Sequence, residues 1–162
     1  MRWLQRWTRR GRFSVSLEDL YRQVILDHYR NPRRSGSIER PDATAEGHNP
    51  LCGDEVTIEV ALKDGVIVDA AVRGRGCSIS QASASMMAEA IVDRSVEAVA
   101  TLTGQVKSML NIEEGDPGLD PERPGAVLGD LEALAGVRRF PVRIKCADLP
   151  WTTLEEALAA TD

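Results

Sequence analysis

This sequence predicts an α+β fold, a small antiparallel β-sheet of about three strands with helices packed on one face. Three observations point to it. Residues 56–72 hold two stretches of alternating apolar and polar or small residues joined by Asp64-Gly65, the pattern of a hairpin with one apolar face that something must cover. Helical periodicity precedes this hairpin and returns after it. The chain has 162 residues, 43% hydrophobic and 28% charged, which suits one domain with a real core.

The elements follow in chain order. The first thirteen residues, MRWLQRWTRRGRF, carry five arginines and no acid, so the rest of the chain (15 basic against 25 acidic residues) is strongly acidic. The amphipathic FSVSLEDLYRQ that follows lacks the apolar run of an export signal. Residues 1–15 are therefore expected to be a flexible basic arm ahead of a single domain over residues 16–162. Ser16 opens a capping box with Asp19, and Leu17, Leu20, Tyr21, Val24, Ile25 and His28 recur at helical spacing up to Asn31-Pro32. His28 falls on the apolar stripe and reads as a satisfied core histidine. Residues 33–42 read as a loop and residues 43–47 as a short strand.

In the hairpin, Val56, Ile58, Val60 and Leu62 alternate on the way out, and Val66, Val68, Ala70 and Val72 on the way back. Two helices follow, near residues 80–92 and 95–111, each opened by a serine, with Met86, Met87, Ala90 and Ile91 turned to the sheet. Residues 111–129 are rich in proline, glycine and acid and read as an exposed insertion. A short helix over 131–135, an extended stretch over 141–146 and a final helix over 154–160, capped by Thr152 or Thr153, complete the chain.

Composition narrows the function. No apolar run approaches the ~20 residues that span a membrane, and a net charge of −5 speaks against nucleic acid as the main partner. Three cysteines cannot form a fully paired disulfide framework, so reduced thiols in a cytoplasm are expected.

Cys52 and Asp54 flank Gly53 where the chain enters the hairpin, and Cys77 stands where it leaves. Antiparallel strands of similar length make them neighbours in space. Cys77 also precedes a helix, whose N-terminus favours a thiolate. Three thiolates and a carboxylate suit a tetrahedral divalent metal, with zinc the first choice. Spacing alone fits three buried structural cysteines equally well. His48, four residues before Cys52, reads as a loop histidine.

LYRQVILDHYRNPRRSG, HNPLCGDEV, GRGCSISQASASMM and FPVRIKCADLPW, in this order, resemble the iron–sulfur cluster assembly family of IscU and the NifU N-terminal domain, and most closely its SufU type. The resemblance covers residues 17–158. It implies one Zn²⁺ per chain held by Cys52, Asp54, Cys77 and Cys146, and possession of the family's arginine at Arg143. IscU-type scaffolds carry a histidine immediately before the third cysteine, where this chain has Lys145, and lack the segment at 111–129.

The implied function is that of a zinc-dependent sulfurtransferase. It accepts persulfide sulfur from a pyridoxal-phosphate cysteine desulfurase of the SufS kind, whose histidine takes the place of one zinc ligand. A downstream iron–sulfur assembly complex is a further implied partner. The alternative is an IscU-type scaffold that binds a transient Fe–S cluster through the same cysteines. Cys52, between Pro50 and Gly53, has the backbone freedom to act as the sulfur acceptor, and Arg143 would offset the charge of the thiolates. Alternation along an extended 141–146 would set Lys145 beside Arg143.

Overall fold

A computed structural model describes residues 16–161 of the chain. The expected basic arm, residues 1–15, lies outside the described residues. Helix α1, Leu17–Arg30, starts at Ser16, whose hydroxyl accepts the Asp19 N–H at 3.2 Å. It stops at Asn31, ahead of Pro32, and buries Val24, Ile25 and His28.

Strands β1, Ala43–Asn49, β2, Asp54–Lys63, and β3, Val66–Arg75, form one antiparallel sheet in that order. The β2–β3 turn places both Asp64 (φ 53°) and Gly65 (φ 76°) in the left-handed region, which matches the right-handed twist of the two strands. One part of the expected alternation fails. Ala61 pairs with Asp69 and Leu62 with Ile67, so Val68 has no residue opposite and the phase shifts by one. Val56, Ile58, Val60, Ala70 and Val72 face the core as expected, but at the tip Ile67 turns in and Val68 is 45% exposed.

Helices α2, Ser78–Ile91, and α3, Val96–Met109, lie near their expected spans, and Ser95 caps the second by accepting the Ala98 N–H at 3.1 Å. Met86, Met87 and Ile91 are buried. The short helix expected over 131–135 is a 3₁₀ segment, Gly129–Arg139. Glu132, also buried, accepts the N–H groups of Gly125, Val127 and Leu128 at 3.0, 3.1 and 2.9 Å, which ties the end of the 111–129 segment to this turn.

The end of the chain corrects the sequence reading. Residues 141–146 are not extended, and the final helix does not begin at 154. A single helix α4, Pro141–Ala159, covers both. Pro141 sits in its first turn, where a missing N–H costs nothing, and Pro150 lies in its interior. Burial of Cys146, Ala147, Pro150, Trp151, Leu154 and Ala157 on one helical face outweighs the breaker signal of Pro150. Thr153 is no cap. Its hydroxyl donates back to the Leu149 carbonyl at 2.7 Å, inside the helix.

Helices α2 and α4 pack against the sheet, and α1 packs on α2. Ile58, Val60, Met87, Ile91, Trp151 and Leu154 are completely buried between the layers, each contributing roughly 1.5–3 kcal/mol relative to exposure. Helix α4 approaches β1 so closely that a Cβ on Gly47 would fall 2.0 Å from Thr153 Oγ1. On α2, Ser83 donates to the Ala147 carbonyl at 2.7 Å and accepts the indole N–H of Trp151 at 3.1 Å. These contacts fix α4, and with it Cys146, against the sheet and α2.

Candidate metal centre

Asn49, the last residue of β1, pairs with Asp54, the first of β2, so residues 50–53 form a short loop at the sheet's edge. Gly53 has φ 70°, which a glycine adopts without strain, and the loop presents Cys52 to solvent. Asp54 points inward and is 1% exposed. Strand β3 returns the chain to the same end of the hairpin, where Cys77 is the N-cap residue of α2 and its N–H donates to Asp54 Oδ1 at 2.8 Å. Cys146 lies buried in the second turn of α4.

These three segments converge. The ligand atoms of Cys52, Asp54 and Cys146 all lie within 4.8 Å of one another. Cys146 Sγ is 3.4 Å from Cys52 Sγ, and Cys77 Sγ is 3.8 Å from Asp54 Oδ2. A tetrahedral zinc with Zn–S of about 2.3 Å and Zn–O of about 2.0 Å spaces its ligand atoms by roughly 3.5–3.8 Å. Cys52, Asp54 and Cys146 therefore fit that ion in chemistry and spacing, and Cys77 stands beside Asp54, outside that group of three. Burial, together with the neighbouring Cys52, Asp54 and Cys77, pushes the Cys146 thiol well up from its ordinary value. A cluster of acidic groups that crowd out one another's charge is what a divalent cation relieves.

The helical course of residues 141–146 changes which basic residue serves the site. Arg143 and Cys146 are three apart on α4 and share a face, while Lys145 turns to solvent. The Arg143 guanidinium lies against Cys77 and Cys146, whose charge raises its pKa further. The expectation that Lys145 also flanks the centre therefore fails. Arg139 turns the other way and pairs with Glu18 of α1. A groove of about 630 Å³ opens beside Cys77 and Arg143, walled by Tyr21, Ile25, Val137 and Phe140.

Neither histidine joins the centre. His48 is exposed on the outer face of β1, with Nδ1 3.8 Å from Glu55. His28 is fully buried, with Nδ1 2.8 Å from Ser85 Oγ and Nε2 2.9 Å from Asp130 Oδ2, the satisfied core histidine that the sequence predicts. Sequence reasoning missed Asn49, whose side-chain amide is 3.8 Å from Cys146 Sγ. Its place before Pro50, at the mouth of a cysteine loop, was the available signal.

A family model for the NifU-like N-terminal domain matches residues 20–148. The chain belongs to this family. It is 42% identical over 147 residues to the zinc-dependent sulfurtransferase SufU of Bacillus subtilis, covering 91% of this chain and 95% of that one. To the iron–sulfur cluster assembly scaffold protein IscU of Thermotoga maritima it is 36% identical over 139 residues, or 86% and 92% of the two chains. The crystal structure described as an iron–sulfur cluster assembly scaffold protein for the SUF system, SufU, from Fervidobacterium islandicum superposes with a TM-score of 0.75 at 34% identity, over 88% of this chain and 99% of that one. Membership of the NifU-like family, among relatives that serve iron–sulfur cluster assembly, accords with both the sheet-and-helix architecture and the SufU-type resemblance. No described helix is long and apolar enough to cross a membrane.

Proposed function

We propose that the protein is a zinc-dependent sulfurtransferase that accepts persulfide sulfur from a SufS-like, pyridoxal-phosphate cysteine desulfurase in the cytoplasm, for iron–sulfur cluster assembly. The observation that carries this reading is the cluster of Cys52, Asp54 and Cys146 with Cys77 beside Asp54, in which Cys52 is exposed on a short loop while Cys77 and Cys146 belong to helices. Cys52, Asp54, Cys77 and Cys146 would hold the zinc, which when bound would keep the thiols deprotonated at neutral pH.

The Cys52 thiolate attacks the outer sulfur of the desulfurase persulfide. A sulfur–sulfur bond to Cys52 forms as the bond within the partner's persulfide breaks. The electron pair leaves on the partner's cysteine as a thiolate, and the exchange involves no net oxidation or reduction. Arg143 offsets the negative charge of Cys77 and Cys146 and attracts the anionic persulfide to the mouth of the groove. Residues 50–53 carry Cys52 outward while Cys77 and Cys146 stay with their helices.

The test is a cysteine-desulfurase assay with metal analysis of the same protein. Cys52→Ser should abolish the stimulation of turnover while leaving desulfurase binding largely intact. Mass spectrometry after reaction with desulfurase and cysteine should find the added sulfur on the Cys52 peptide. Sulfur found chiefly on Cys77 or Cys146, or a purified protein without zinc, would refute the reading.

The similarity to IscU proteins favours a second reading, a scaffold that carries an Fe–S cluster as cargo on the same cysteines. Lys145 stands where that type has a histidine and faces solvent. A stable, transferable cluster after reconstitution with iron and sulfide would favour the scaffold.

A further inference from the structure

We propose that Asn49 is the positioning residue that makes Cys52 the thiol that leaves and Cys146 the thiol that stays. This rests on the reading of the site as a zinc-thiolate sulfur acceptor. Asn49 is 6% exposed and touches the centre in three ways. Its main-chain carbonyl accepts the N–H groups of Cys52 and Gly53, at 3.3 and 2.8 Å. Its side-chain oxygen accepts the Leu51 N–H at 3.2 Å, and its side-chain NH₂ points to Cys146 Sγ at 3.8 Å. Across the sheet it pairs with Asp54. One residue thus forms the hinge of the loop that carries Cys52 and supplies a donor to the buried thiol behind it.

The chemistry follows from how hydrogen-bond donors are shared among the sulfurs. An N–H directed at a thiolate stabilises the anion and makes it a poorer nucleophile. Cys146 has the Asn49 amide, and Cys77, although no helix N–H donates to its sulfur, stands at the positive end of the α2 dipole with Ser80 Oγ 3.8 Å away. Among the described residues no N–H group donates to Cys52 Sγ, whose contacts are the sulfur of Cys146 at 3.4 Å and the Asp54 carboxylate within 4.8 Å, neither of them an N–H donor. Cys52 is then the thiolate held least tightly, and the Asn49 carbonyl provides a fixed point about which its loop swings. The exposed Leu51 at the loop tip leaves that swing unobstructed by the core.

Two substitutions separate the roles of the side chain. Asn49→Ser keeps an oxygen for the Leu51 N–H and removes the amide donor to Cys146, and Asn49→Asp also keeps the oxygen and removes the donor but adds a negative charge beside the thiols, so the comparison rests on Asn49→Ser. Zinc affinity is measured by competition with a chelator. The thiolate-to-cobalt absorption is recorded on the Co²⁺-loaded chain, and sulfur is located by mass spectrometry after reaction with desulfurase. Loss of such an outer hydrogen bond to a ligand should weaken zinc binding about tenfold. It should also shift the cobalt band and let sulfur appear on Cys146 as well as Cys52.

Asn49→Ser with unchanged zinc affinity, an unshifted cobalt band and sulfur on Cys52 alone would overturn the assignment. So would a lowered melting temperature with the cobalt band unmoved, which would make Asn49 structural only. The unaltered chain, run in parallel, keeps the two ideas apart. If it binds no zinc or takes no sulfur, the reading of the site fails and the role of Asn49 falls with it. If it does both and Asn49→Ser behaves identically, only the role of Asn49 fails.

Discussion

Gly76 shows how little room the centre leaves. Its φ is 153°, and a Cβ there would lie 2.2 Å from Asp54 Oδ1 and 2.9 Å from Ser80 Oγ. Gly76→Ala must therefore displace the carboxylate that accepts the Cys77 N–H. The expected outcome is protein that folds with a loss of roughly 1–3 kcal/mol and is purified with well under one zinc per chain. Full zinc occupancy would show that Asp54 is not held where the structure has it. Asp130, across the molecule, gives a pH-dependent counterpart. Its hydrogen bond to His28 holds its carboxyl below the usual carboxylate range. A depressed pKa contributes stability that is present above the unfolded value of about 3.9 and is lost as pH falls through the folded one. Asp130→Asn should therefore lower Tm at neutral pH, and the difference from the unaltered chain should shrink as the pH drops below about 4. A difference that is constant with pH would contradict the hydrogen bond assigned between His28 and Asp130.

At the level of elements, α4 is where the sequence misled. The sequence reads as an extended stretch over 141–146 and a capped helix from 154, where one helix, with Pro150 in its interior, runs through both. Pro150 lacks the N–H that would pair with the Cys146 carbonyl one turn back, and its ring presses on that carbonyl. The proline thus acts on the backbone of the ligand itself. Pro150→Ala should restore the missing hydrogen bond and hold or raise Tm, yet re-aim Cys146 and weaken zinc binding. Calorimetry and chelator competition on one sample would check this, and unchanged affinity would make Pro150 incidental to the site. The hairpin was legible because Asp64-Gly65 fixes a turn whose chemistry is local. The Val68 bulge was not, since an extra residue on one strand shows only when its partner is placed. Cys52, Asp54 and Cys77 were legible as neighbours through hairpin geometry, whereas Cys146 needed the family resemblance. Ser83 and Ser85 left no signal, because a small hydroxyl residue on an apolar helix reads as spacing until the Ala147 carbonyl and His28 are brought to it.

Across the whole molecule, the centre ties three separate pieces of chain together: the β1–β2 loop with the start of β2, the N-terminus of α2, and α4. These meet only in the folded state, so on the proposed reading zinc binding and folding would be one equilibrium. An ion that binds the folded chain alone adds about 4 kcal/mol when its concentration is a thousandfold above Kd, which for a domain of this size corresponds to a Tm rise of roughly 10 °C. Stripping the metal with a chelator should lower Tm by that order, and adding zinc back should restore it. Without the cation, burial and the neighbouring acidic groups hold the Cys146 thiol protonated. Zinc must displace that proton, so its stabilisation should weaken as the pH falls and the thiols compete with the ion. Cys146→Ser should abolish most of the zinc-dependent rise while leaving the metal-free chain folded, because serine nearly matches cysteine in size and the core cluster around Trp151 and Leu154 keeps its other members. If complete removal of zinc left Tm unchanged, the three pieces would be held by the core alone, and the centre would serve chemistry without contributing to the fold.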